Sequence, residues 1–182
     1  MASFDVLGLS GSLRKSATNR LLIQEAARLG NVTSFTEADL RLPLYDGDLE
    51  DAGGIPASVQ ILSDQIGKAD AIIISSPEYN KGISGVLKNA LDWVSRTEGS
   101  PWKGKPVAIM SATAGRSGGE CAQANLRLSL GAFNTRMIQA PVLLVGGNYA
   151  EFDDSGQLIT DSYIKAATGL MEALRTEVEL LR

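Results

Sequence analysis

Between a short apolar run, Phe4 to Leu9, and an amphipathic run, Leu21 to Leu29, the chain carries Ser10-Gly11-Ser12-Leu13-Arg14-Lys15-Ser16-Ala17-Thr18-Asn19-Arg20. The first run reads as a strand and the second as a helix, so hydroxyls, a guanidinium and an amide crowd the point where a strand becomes a helix. Helix N-termini present unpaired backbone N–H groups and a partial positive charge. Serine and threonine add donors without bulk, and Arg14 can give paired hydrogen bonds to a phosphate. An anion cradle holding a phosphate is one reading of this loop; a cap-and-turn sequence with no ligand is the other.

The remaining chemistry is restricted by composition. With no histidine, the chain has no imidazole acid or base, no Ser-His-Asp or Cys-His triad and no histidine ligand for zinc. Its one cysteine, Cys121, allows no internal disulfide and reads as a small packed residue at a helix start. A net charge of −4 provides no footprint for nucleic acid. No apolar run approaches the roughly 20 residues that span a bilayer, so no membrane partner is expected. The segment Met1 to Asp5 lacks the regions of a signal peptide, and with a single cysteine the expectation is a cytoplasmic protein. Carboxylates, hydroxyls, lysine, arginine or a bound cofactor must supply any reaction.

The elements that position these groups alternate along 182 residues, taken as one domain over 1–182. Strands are expected at Phe4–Ser10, Asn31–Glu37, Ala69–Ser76, Lys105–Ser111 and Met137–Val145. Helices are expected at Asn19–Leu29, Ile55–Lys68, Ile83–Arg96, Gly118–Phe133 and Asp161–Leu181. Arg41–Gly54, with Pro43, Tyr45, Gly47 and Gly53-Gly54, reads as a loop, and its acidic residues Asp46, Asp48, Glu50 and Asp51 as a solvated stretch without calcium-loop spacing. Continuous apolar strands alternating with helices imply an α/β fold: a doubly wound, five-stranded parallel sheet with helices on both faces. Ligands in such folds sit at the carboxyl ends of the strands. That rule selects the opening loop, Ser75–Gly82, and Ser111–Gly119. Dinucleotide and P-loop fingerprints are absent: Gly8-Leu9-Ser10-Gly11 lacks the third glycine, and Pro106 stands where a P-loop needs a hydroxyl.

GSLRKSATNR (11–20), SSPEYNKGISGVLKNALDW (75–93) and SATAGRSGG (111–119) resemble, in this order, the three signature regions of the NADPH-dependent FMN reductases. That flavodoxin-like family includes quinone, chromate and azo-dye reductases. The resemblance implies that Ser10, Ser12, Arg14 and Asn19 hold the FMN phosphate, with Arg20 at the helix start. The family usually has serine at the position of Ala17, so Ser16 or Thr18 is left to replace that hydroxyl. It further implies that Pro77, Glu78, Tyr79 and Asn80 line the flavin ring and ribityl chain. By the same resemblance Ser111, Thr113, Gly115, Gly118 and Gly119 are expected to lie against the other side of the ring. No catalytic side chain and no metal are expected, because a flavin carries the bond chemistry and the protein positions it.

The implied activity is transfer of hydride from NADPH or NADH through FMN to a quinone, chromate, an azo compound or free flavin, with ping-pong kinetics. A flavodoxin-like electron carrier that does not oxidise NAD(P)H, and a flavin-free enzyme acting on phosphate ligands, are the rival readings. The resemblance also implies a homodimer or homotetramer. The apolar width of 83–96, with Val86, Leu87, Ala90, Leu91, Trp93 and Val94, points the same way, as do Leu126, Leu128, Leu130 and Phe133 on the following helix. Trp93 and Trp102 read as core or interface packing.

Overall fold

Apolar residues alternate along the strands, and both faces of each central strand are buried. In β1 (Asp5–Ser10), Val6 enters one core and Leu7 and Leu9 the other. In β3 (Ala71–Ser75), Ala71 and Ile73 take the first side and Ile72 and Ile74 the second. A strand with two buried faces needs a layer on each, and the sequence supplies it. α1 (Thr18–Leu29) and α6 (Asp161–Glu179) cover one face through Leu22, Ile23, Ala26, Leu170 and Leu174. α3 (Ala57–Lys68), α4 (Gly85–Val94) and α5 (Glu120–Gly131) cover the other through Leu62, Ile66, Leu87, Leu91, Leu126 and Leu130. The chain is seen here in a computed structural model that describes residues 3–182; Met1 and Ala2, the start of the expected domain, lie outside it.

The sheet is parallel throughout. β2 (Ser34–Glu37) forms the edge beside β1, then follow β3, β4 (Pro106–Ala112) and a fifth position. The chain steps from β1 to β2 on one side and then crosses back past β1 to β3 on the other, so a crevice opens at the carboxyl ends of β1 and β3.

Three expectations need correction. The fifth strand is not continuous over 137–145: β5 (Arg136–Met137) and β6 (Leu143–Val145) each pair with β4 and are separated by a segment holding Pro141. Proline has no N–H to give a ladder, which breaks the run. Arg41–Gly54 is not all loop, because α2 (Gly47–Gly53) forms within it. The Asp48 N–H donates to the Asp46 side chain at 2.9 Å, and Asp48 and Glu50 in the first turn complement the helix N-terminus. The acidic residues are largely exposed, as expected for a solvated stretch, and three of them, Asp46, Asp48 and Glu50, form the cap and first turn of this helix.

The third correction concerns the apolar width of α4. The segment from Leu40 to Tyr45 lies over it: Trp93 Nε1 donates to the Pro43 carbonyl at 2.8 Å, and Tyr45 meets the Trp93 ring edge-on at 5.0 Å. Asn89 clasps the same segment, donating to Pro43 and accepting from the Tyr45 N–H. The width is therefore covered within the chain. On α5, Leu126 and Leu130 are buried and Phe133 packs near Trp102, leaving Leu128 facing outwards.

At the opposite end of the sheet from the crevice, Asp70 accepts the Asp5 N–H at 2.8 Å and pairs with Arg182 at 2.9 Å. Burial alone would raise the Asp70 carboxyl, but the Asp5 N–H and the guanidinium outweigh it and hold it below the ordinary value. A depressed carboxyl stabilises the fold above its unfolded value, near 3.9, and that stabilisation is lost as pH falls through the folded value. Asp70→Asn is expected to cost about 1 kcal/mol at pH 7, a charge-assisted bond at a partly exposed site. Urea denaturation at pH 7 and pH 3 checks this: the gap between variant and parent should shrink at the lower pH.

Candidate functional site

Three loops and a fourth converge on a cleft of about 650 Å³ at the carboxyl ends of the strands. That is within the usual range for small-molecule and cofactor sites, roughly 300–1,000 Å³. The loops are tied together by one side chain. Asn19 is 3% exposed; its Oδ1 accepts from the Ser75 hydroxyl at 2.8 Å and the Ala112 N–H at 3.1 Å. Its Nδ2 donates to the Ala112 carbonyl at 2.9 Å. The first turn of α1 is thereby locked to the ends of β3 and β4. Ala17 stands at the cap position of α1 and offers no side-chain cap, and this helix start, Ala17 to Asn19, lines the cleft. Arg14, exposed and without an ion pair among the described residues, lines the same end together with Ser12, Ser16 and Thr18.

The second loop is shaped by a two-residue turn. Tyr79 and Gly82 exchange backbone hydrogen bonds, both 3.0 Å, around Asn80 and Lys81, whose φ values are 50° and 66°. Asparagine tolerates this conformation; lysine is strained in it. Tyr79 is 56% exposed at the cleft rim and Pro77 forms part of the wall. Glu78 lines the cleft but aims its carboxylate at α5, accepting the Ala122 N–H at 3.1 Å with Lys81 at 3.7 Å. It serves the N-terminus of a helix whose own cap residue, Gly119, has no side chain to offer. Gly11 lets this loop approach the first: a Cβ there would lie 2.9 Å from Pro77 Cδ.

In the third loop Thr113 and Gly115 line the cleft, while Ser111 lies beneath it. The Ser111 hydroxyl donates to the Gly118 carbonyl at 2.6 Å and accepts from Gln123 at 3.0 Å. Gly118, at φ 63°, abuts β6 so closely that a Cβ would lie 2.6 Å from the Leu144 carbonyl carbon.

Of the fourteen expected residues, eight line the cleft: Ser12, Arg14, Asn19, Pro77, Glu78, Tyr79, Thr113 and Gly115. Ser111, Gly118 and Gly119 form the support under the third loop, and Asn80 sits in the turn beside it. Ser10 and Arg20 belong to a smaller neighbouring pocket at the carboxyl ends of β1 and β2. There Ser10 Oγ shapes the loop by bonding the Ser12 backbone, and Arg20 holds Glu37 in a two-pronged ion pair. The Glu37 hydrogen bond holds the Arg20 guanidinium above its ordinary value against the opposing effect of burial. Beyond the fourteen, the neighbours Ser16 to Thr18, Lys81, Ala112, Ala114 and Ser117 also line the cleft, and a fourth loop after β6 adds Asn148 and Tyr149. The carboxyl-end rule reaches that loop too, and Gly146-Gly147-Asn148 was its visible signal.

A model of the NADPH-dependent FMN reductases matches residues 4–150. The chain belongs to that family. It is 39% identical over 179 residues to an NAD(P)H-dependent FMN reductase of Pseudomonas aeruginosa, covering 97% of this chain and 96% of the relative. A quinone reductase of Escherichia coli is 34% identical over 172 residues, 92% of each chain. Among solved structures, the flavoenzyme NAD(P)H:(acceptor) oxidoreductase FerB of Paracoccus denitrificans superposes with a TM-score of 0.87 at 31% identity, covering 97% of this chain and 98% of that one. A WrbA-like flavodoxin of Agrobacterium tumefaciens, 15% identical with a TM-score of 0.64, shares the fold. The architecture of this family member is flavodoxin-like, as expected from its loops. The donor set fits FMN: a guanidinium and hydroxyls at an uncapped helix N-terminus suit a phosphate, and Pro77, Tyr79 and Ala112–Gly115 give a largely uncharged cleft for a flat ring.

Proposed function

We propose that this FMN-dependent NAD(P)H oxidoreductase holds its cofactor with the phosphate at the N-terminus of α1 and the ring between the Tyr79 loop and the Thr113–Gly115 loop. The observation that carries this placement is the convergence of Arg14, Ser12 and Ser16 on an uncapped helix end that opens into the cleft. Bound FMN supplies the redox chemistry, accepting hydride from NAD(P)H and passing electrons to an acceptor. The chain's residues do the positioning. Arg14 neutralises the phosphate, and the first-turn N–H groups of α1 direct it. Pro77 and Tyr79 wall one side of the ring, and Glu78 keeps their loop in place through α5. Quinones are the acceptor class favoured by the names of its relatives.

The same reading has this single domain acting in the cytoplasm as a homodimer or homotetramer. Leu128, 83% exposed on α5, and Leu44 are among the exposed apolar residues available for such contacts. Among the described residues no helix is long and apolar enough to cross a membrane.

Titration of the protein with FMN, then anaerobic addition of NADPH or NADH, tests the proposal. Stoichiometric uptake followed by bleaching is expected, with turnover on a quinone. Failure to take up flavin removes the reading, and uptake without bleaching by either nucleotide leaves an electron carrier. Light scattering at micromolar concentration decides the assembly.

A further inference from the structure

Asn148 and Thr18 are 130 residues apart, yet the Asn148 Nδ2 lies 2.5 Å from the Thr18 Oγ1. Asn148 opens the short helical turn Asn148–Ala150 after β6, is 5% exposed, and is fixed by its own N–H donating to the Thr113 carbonyl at 3.1 Å. Its amide is therefore not a mobile rim group. Thr18 is the first residue of α1 and lines the phosphate end of the cleft. A hydroxyl that accepts from an amide keeps its own proton to give. The Thr18 hydroxyl has no acceptor among the described residues. Next to it stands Ala17, whose methyl group can donate nothing.

We propose that Asn148 is a positioning residue that holds the Thr18 hydroxyl as a hydrogen-bond donor to the phosphate of FMN. The amide occupies the lone pair of Oγ1 that faces the fourth loop, which turns the O–H towards the anion. The fourth loop thus takes part in phosphate recognition without touching the phosphate. Thr18, rather than Ser16, supplies the hydroxyl that position 17 lacks. This rests on the flavin reading above, and its consequence is specific to the phosphate: riboflavin, which has none, is indifferent to the pair.

The test titrates the apoprotein with FMN and with riboflavin, following quenching of flavin fluorescence. Thr18→Val removes the hydroxyl at nearly constant shape. It is expected to raise the FMN Kd about tenfold, the effect of one hydrogen bond to a charged oxygen, and to leave the riboflavin Kd within about twofold. Thr18→Ser should restore FMN binding. Asn148→Ala should weaken FMN in the same direction, and in the Thr18→Val background it should add nothing further. An unchanged FMN Kd in Thr18→Val overturns the proposal, as does equal weakening of both flavins. Full additivity of the two substitutions overturns the role of Asn148. A parent protein that binds neither flavin overturns the flavin reading itself, a different result from any of these.

Discussion

Asn19→Ala is expected to be the most damaging single change around the cleft. It removes the only partner, among the described residues, of the Ser75 hydroxyl, and both side-chain bonds to the Ala112 peptide. Leaving a buried polar group unpaired costs about 1–3 kcal/mol. Three such groups put the loss at roughly 3 kcal/mol or more, a large part of the 5–15 kcal/mol by which a typical domain is stable. At about 2–4 °C per kcal/mol for a chain of this size, the melting temperature should fall by roughly 6–12 °C. Asn19→Asp should do no better, because a buried carboxylate would face the Ala112 carbonyl. Calorimetry of the apoproteins checks both, and a loss below about 1 kcal/mol for Asn19→Ala would show that the loops are held some other way.

Arg14→Ala should do the reverse, leaving the fold intact and removing affinity. Arg14 is exposed and its side chain makes no hydrogen bond or ion pair among the described residues, so the apoprotein should stay within about 0.5 kcal/mol of the parent. At the phosphate a guanidinium gives charge-assisted, two-pronged bonds. Hydrogen bonds to charged groups contribute about 1.5–3 kcal/mol, so the FMN Kd should rise roughly 10- to 100-fold. The loss should narrow as salt screens the exposed end of the site. Flavin fluorescence at low and high ionic strength measures it; an unchanged Kd would take Arg14 out of the phosphate site.

The helix at the phosphate loop shows why some site residues were legible in the sequence and others not. Each residue of an α-helix turns about 100° from the last, so Thr18 and Arg20 cannot face the same way. Thr18 faces the cleft, Asn19 the sheet and Arg20 the pocket beside Glu37. Resemblance marks Asn19 and Arg20 together and leaves Thr18 only as one candidate for the hydroxyl missing at position 17, but a side chain's direction depends on where the helix is rolled. The central strands were legible because Ile72 to Ile74 bury both faces, a pattern few alternatives produce. The division of the fifth strand was harder to see, since apolar residues continue across Pro141 and only the missing N–H breaks the ladder. α2 was hidden by its glycines and acids, which read as loop until the Asp46 side chain is seen capping it. Gly146-Gly147-Asn148 marks the fourth loop, but nothing in it shows the role of Asn148, which exists only through a partner 130 residues away.

That separation also governs when the cleft can come into being. Asn19 finds its partners 56 and 93 positions downstream, and Thr18 finds its partner near the end of the chain. During synthesis the phosphate loop emerges long before the groups that brace it, so the cofactor has nothing finished to enter until β6 and its loop are in place. Contacts this distant in sequence form late. FMN should therefore leave the refolding rate unchanged and slow unfolding, which stopped-flow kinetics with and without the cofactor would measure. The flavin acts as a latch on a completed molecule, not as a template for making it.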